Sequence, residues 1–220
     1  MPSASPSRAT LQSVNAFLMS EPNATLPNTT AQTLSLTTPE PSPARLLFES
    51  LSGAWNMQRN INSILETSPS GVFEGTATFN SCTPSDTAFT EQYVYAEEGN
   101  FTTTAGIVFS AKRRYIWRYA VDTDEMTVWF AHESTNDPEG LFHTVQFDSS
   151  TLPGGSKDDA IATRASRSLK AKGHHLCEPD TYVVTYDFVM IGGSLDHFTI
   201  KYDVTGPRKD YVSQTEYKKA

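Results

Sequence analysis

The sequence predicts an all-β fold, an antiparallel meander of about ten strands closed into a barrel and preceded by one short helix. Three observations carry that expectation. Apolar and polar residues alternate with a period of two over most of the chain after Gly53, most plainly where Phe198, Ile200, Tyr202 and Val204 interleave with Thr199, Lys201, Asp203 and Thr205. Turn-forming clusters separate the alternating runs, at Ser68-Pro69-Ser70-Gly71, Asp122-Thr123-Asp124, Asn136-Asp137-Pro138-Glu139-Gly140, Gly192-Gly193 and Gly206-Pro207. No long helical pattern is present to cover the apolar side of the sheet, so the meander must close on itself or stack as a sandwich. The nearly unbroken run of strands favours closure, with the sandwich as the alternative topology.

Residues 1–43 consist mainly of Ser, Thr, Pro, Ala and Asn, with one apolar cluster at Val14, Ala16, Phe17, Leu18 and Met19. Such a stretch buries too little area to offset chain entropy, and a disordered tail is expected. Its only basic residue before Arg45 is Arg8, which argues against an Arg-rich transit peptide. The barrel domain is expected over residues 44–220. Its first element is a helix over 44–51, where Ala44, Leu47, Phe48 and Leu51 recur at helical spacing before the stop at Gly53. Strands are expected near 55–61, 73–79, 89–97, 107–119, 126–132, 141–147, a ragged segment near 160–170, 182–188, 198–205 and 211–218.

Composition narrows the classes of function. A chain of 220 residues with 38% hydrophobic residues supports one domain with a proper core. A net charge of −8 repels phosphate backbones and anionic headgroups, so nucleic acid is not an expected partner. No run approaches the ~20 apolar residues of a membrane span, and no secretory leader is visible, so a soluble cytoplasmic protein without a membrane partner is expected. Cys82 and Cys177 are then reduced thiols, and the sequons at Asn23, Asn28 and Asn100 would matter only on secretion. No dinucleotide, phosphate-loop or serine-hydrolase signature occurs, and no cofactor is expected.

Gly53-Ala54-Trp55 resembles the Gly-x-Trp opening of lipocalin-like (calycin) barrels, in which the Trp starts the first strand and closes one end. With Arg59, Gly71-Val72-Phe73-Glu74-Gly75, Tyr95-Ala96-Glu97-Glu98-Gly99, Arg114-Tyr115-Ile116-Trp117, the segment from His175 to Tyr182, and Gly206-Pro207-Arg208-Lys209-Asp210-Tyr211, the chain is similar over about residues 46–218 to an uncharacterised bacterial and fungal family of such barrels. The resemblance implies the fold and carries no activity. Among fungal proteins, lipocalin-like barrels also serve as cyclisation or isomerisation catalysts in natural-product pathways, an analogy only. It further implies a cation over the closing indole, for which Lys218 or Arg208 is the candidate.

Strand parity makes a physical claim, because residues two apart share a face and the apolar face of a barrel points inward. Arg59 shares its face with Trp55, Met57 and Ile61; Glu91 and Glu97 with Phe89, Tyr93 and Tyr95; Arg113 with Phe109, Tyr115, Trp117 and Tyr119; His143 with Leu141, Val145 and Phe147; and His132 sits beside Phe130. Charges on an apolar wall must pair or meet water and ligand, so an amphipathic lumen is expected. The bland alternatives are a structural ion-pair network for the Arg and Glu set, and a merely hydrogen-bonded core imidazole for His143. The candidate catalytic set is His143, Glu91 and Arg113; Arg59, Tyr93, Tyr95, Glu97, Phe109, Tyr115, Trp117, Phe130, His175 and Tyr182 are candidate ligand contacts. His174-His175-Leu176-Cys177 reads as a structural turn rather than a metal site, with a triad-like His175, Cys177 and Asp180 as the sharper alternative.

Three functions compete. A cofactor-independent isomerase or cyclase would fold a mostly apolar metabolite in the cavity, Arg59 and Arg113 steadying enolate charge while His143 or Glu91 moves protons. A carrier of a small hydrophobic or amphipathic molecule needs only the cavity. Haem binding through His143 or His197 is the third. The charged residues on the lumen face tilt the reading toward the enzyme.

Overall fold

A computed structural model of the chain describes residues 41–152 and 166–220. The expected tail, as far as residue 40, and the first part of the ragged segment near 160–170 lie outside the described residues.

Helix α1 (Pro43–Ser50) begins with Pro43 in its first turn and with the Ser42 hydroxyl accepting a hydrogen bond from the Arg45 amide at 3.1 Å. It stops before Gly53, whose φ of +107° suits a glycine and turns the chain into the sheet. Ten strands follow: β1 (Gly53–Ser63), β2 (Gly71–Cys82), β3 (Glu91–Thr103), β4 (Val108–Ala120), β5 (Glu125–Ala131), β6 (Pro138–Phe147), β7 (Arg167–Cys177), β8 (Asp180–Ile191), β9 (Ser194–Thr205) and β10 (Tyr211–Lys219). Each pairs antiparallel with its neighbour in sequence, and β1 pairs with β10, so the sheet closes into a barrel and the sandwich alternative falls away.

One end is plugged. Leu47 and Phe48 of α1 and Leu51, which caps it, are wholly buried, Phe48 stacking on Tyr93 and Tyr119, and the Trp55 indole donates to the Leu51 carbonyl at 2.8 Å. The cation over Trp55 is Lys219, 4.1 Å from the ring centroid, in place of Lys218 or Arg208. The reason is register: Trp55 lies opposite Lys219, whose Nζ also reaches the Ser50 carbonyl.

Four placements differ from the expected pattern. Phe89 precedes β3 and packs on the Arg118 guanidinium, 4.0 Å from the ring centroid, and on Trp129, away from the lumen face of Tyr93 and Tyr95. In β6 the register slips between Val128 and Trp129, so that His143 faces Val128 while Leu141 faces Trp129. This bulge leaves Leu141 exposed and buries Phe142, inverting the parity expected at that end of the strand. His174 to Cys177 form the end of β7, in register with β8, instead of a turn. Finally, β5 pairs with β4 only from Tyr115 to Ala120, so β4 from Val108 to Arg114 runs on without β5 beside it.

Candidate functional site

The barrel interior away from α1 encloses a hollow of about 460 Å3 that opens at the end where β1 turns into β2 and β9 into β10. Its depth is set by the paired strands. Trp117, Val128 and Ile200 lie toward the plugged half; Phe130, Cys177, Tyr182 and Tyr211 lie at the mouth.

A polar cluster crosses the interior at mid-height. Arg59 of β1 and Glu97 of β3 are joined by two hydrogen bonds, Nη1 to Oε1 at 2.8 Å and Nη2 to Oε2 at 2.7 Å, and Arg59 Nε donates to Thr215 Oγ1 at 2.7 Å. The Tyr95 hydroxyl donates to Glu97 Oε2 at 2.6 Å and lies 3.0 Å from the Tyr217 hydroxyl. Burial alone would push the Glu97 carboxyl up, yet the forked guanidinium of Arg59, with help from Tyr95 and Arg113, outweighs it and holds the carboxyl below its ordinary range. For Arg59 the contest runs the same way: burial disfavours the cation, and Glu97 raises it well above its usual value.

Arg113, Tyr115, Trp117, Phe130, His175 and Tyr182 all line this hollow, as do Arg59, Tyr95 and Glu97. Arg113 is exposed because β5 does not extend beside it, and among the described residues it has neither an ion-pair nor a hydrogen-bond partner. The sequence missed Phe142, which the bulge turns inward, and Lys209, whose Nζ donates to the Tyr182 hydroxyl at 2.7 Å from the β9–β10 turn. Neither had a readable signal, since a bulge defeats parity and a turn has none. Tyr202 and Tyr217 also line the wall, and their parity with Phe198 and with Tyr211 would have found them.

Other candidates stand elsewhere. Glu91 sits at the plugged end, 3.5 Å from Arg45 of α1, and burial raises its carboxyl pKa. Tyr93 packs under Phe48, and Phe109 is half-exposed against Phe101 on the extension of β4; none of the three lines the hollow. His143 faces the barrel interior but does not line the hollow: it is buried, its Nε2 is hydrogen-bonded to the Tyr186 hydroxyl, and Gly173 of β7 leaves the space its ring fills. Burial, with a smaller effect of His175 and His174, lowers its pKa to about 3, so the ring is neutral at physiological pH. Its Nδ1 has no partner among the described residues. His132 is exposed, the Ser134 amide donating to its Nδ1, and His197 points outward toward Asp196 at 2.8 Å; neither lines the hollow.

Asp180 does not complete a triad with His175 and Cys177. Its carboxylate accepts from the amides of Arg208 and Lys209, at 3.0 and 3.2 Å, and so holds the turn that carries Lys209. Among the described residues no group of three His, Cys, Asp or Glu side chains is placed to hold a metal ion, and no helix is long and apolar enough to cross a membrane.

No curated protein and no solved structure matches the chain. A family model matches residues 51–219, from the last residue of the helical plug through β10, and that family is described as one of unknown function. The residues that close the barrel and line its hollow thus fall within a single family, and the chain belongs to the DUF6314 family.

Proposed function

We propose that the barrel binds a small, mostly apolar molecule in its open half. The observation that carries this reading is the hollow of about 460 Å3, walled by Tyr115, Trp117, Phe142 and Tyr202 and floored by the Arg59–Glu97–Tyr95–Tyr217 cluster. Apolar walls with a few convergent polar groups are the usual make-up of small-molecule sites. On this reading the protein is a lipocalin-like binder working in the cytoplasm, and the two free thiols support that setting.

The test uses N-phenyl-1-naphthylamine, a neutral probe whose fluorescence rises in apolar surroundings. Saturable binding of one probe per chain is expected, weakened about tenfold by Ser213→Phe, which places a ring in the hollow. A chain with native circular dichroism that does not enhance the probe would remove the reading.

A catalytic form of the same reading, a cofactor-free isomerase or cyclase acting on such a metabolite, is favoured by one arrangement. Tyr95 and Tyr217 link the buried carboxylate of Glu97 to the hollow, close to the unpaired Arg113, so a proton relay and a support for enolate charge stand together. His143 and Glu91 have no part in this form. Turnover of a substrate by the purified protein should fall with Tyr95→Phe and with Arg113→Gln while the fold persists; undiminished turnover in both variants would remove the relay.

A further inference from the structure

We infer that the occupant of the hollow is an organic anion, a carboxylate or similar small oxyanion on a flat aromatic or conjugated body. This rests on the small-molecule reading above and gives it a ligand class. The ionised side chains lining the hollow are Arg59, Arg113, Lys209 and Glu97. The Arg59 charge is spent on Glu97 through the paired hydrogen bonds, whereas Arg113 feels Glu97 only through space, without an ion pair or hydrogen bond among the described residues, and Lys209 donates to the Tyr182 phenol. The three cations outnumber the one carboxylate, so the lining of the hollow is net positive in a protein whose net charge is −8. The guanidinium fork of Arg113 matches a carboxylate in shape, and a charge-assisted pair of hydrogen bonds is stronger than a neutral one.

The remaining wall suits such a group. The hydroxyls of Tyr115, Tyr202 and Tyr211 face the hollow without a hydrogen-bond partner among the described residues, so they are free to donate to an oxyanion. The Phe142 ring lies nearly parallel to both Tyr115, at 11° and 5.7 Å between centroids, and Tyr202, at 14° and 6.1 Å. The three rings share one orientation, and a planar body lying parallel to them extends the array by offset stacking.

Two probes with a common body isolate the charge: 1-anilinonaphthalene-8-sulfonate and the neutral N-phenyl-1-naphthylamine. The sulfonate is expected to bind about tenfold more tightly at low ionic strength, and Arg113→Gln should remove most of that advantage, read as the ratio of the two probes' affinities. Lys112→Gln, which removes an exposed lysine paired with Glu98, should leave the advantage in place. Should Arg113→Gln fail to fold, 2-naphthoate must still displace the neutral probe from the unmodified protein at about tenfold lower concentration than 2-naphthalenemethanol. Equal affinity for the two probes, an advantage that survives Arg113→Gln, or equal displacement by the two competitors overturns the anion and leaves the binding cavity standing. Failure of both probes to bind removes anion and cavity reading together.

Discussion

The guanidinium of Arg59 and the carboxylate of Glu97 meet across the barrel interior through two parallel hydrogen bonds, with the Glu97 side chain only 3% exposed and that of Arg59 12%. Removing one partner strands the other in a poorly solvated place. Glu97→Ala should cost about 3–5 kcal/mol in urea unfolding, and the double change Arg59→Met, Glu97→Leu should recover most of it. A double variant as unstable as the single would mean that the pair holds the barrel by more than mutual neutralisation.

The same carboxylate gives an acid limit. Because Glu97 titrates below its ordinary value of 4.5 in the folded chain, its contribution is complete at neutral pH and is lost as pH falls from about 4.5 through the lower folded value. Glu97→Gln should flatten that part of the stability profile; an unchanged acid midpoint would show that other groups set it.

His143 acts higher on the pH scale and with the same sign. Its folded pKa of about 3 lies below the ordinary 6.5, so the unfolded chain takes up a proton that the folded chain refuses, and stability falls as pH drops below 6.5. Tyr186, His174 and His175 are its polar neighbours. The slope is roughly 1.4 kcal/mol per pH unit from this residue, and His143→Gln should abolish it between pH 6 and 4, as measured by denaturant titration at several pH values.

Gly173→Ala tests how that imidazole is seated. A methyl group there would lie 2.3 Å from the His143 Cδ2, so the ring must move and its bond to Tyr186 must lengthen or break. A loss of about 1–3 kcal/mol is expected, together with a His143 pKa nearer the ordinary value in proton NMR. Full stability with an unshifted ring would show that β6 and β7 separate easily.

Lys219→Met removes the cation over Trp55 and the bonds to the Ser50 and Ser52 carbonyls, at 3.1 and 3.4 Å. The side chain is largely solvated, so the cost should be about 0.5–1 kcal/mol, with a change in Trp55 emission. Lys218→Met serves as the control and should change neither.

Much of this architecture was legible because barrels repeat one rule. The alternation of Trp55, Met57, Arg59 and Ile61, or of Tyr217 with Thr215 and Ser213, fixes both strand and inward face without reference to any partner. The same rule put Arg59, Tyr95, Glu97 and Arg113 on one inner surface, and the hollow they line was implied by closure. It failed where geometry is set by a neighbour. The bulge in β6 depends on how Val128 and Trp129 meet the facing strand, so the exchange of Leu141 for Phe142 was invisible. Likewise parity says which way His143 points but not that Gly173 lets its ring pack beside Tyr186, out of the hollow, nor that α1 would claim Tyr93 and Glu91 for the plugged end.

The seam between β1 and β10 has a consequence for how the chain acquires its shape. Arg59 and Thr215, hydrogen-bonded across it, stand 156 residues apart, so the wall is incomplete until β10 has been synthesised and docked. Nine strands made earlier leave a wet inner surface and two raw borders, an arrangement that refolds slowly and clings to other chains while it waits. Chaperone dependence during synthesis, and abrupt all-or-none acquisition of protease resistance once β10 joins, are what such a late seam entails.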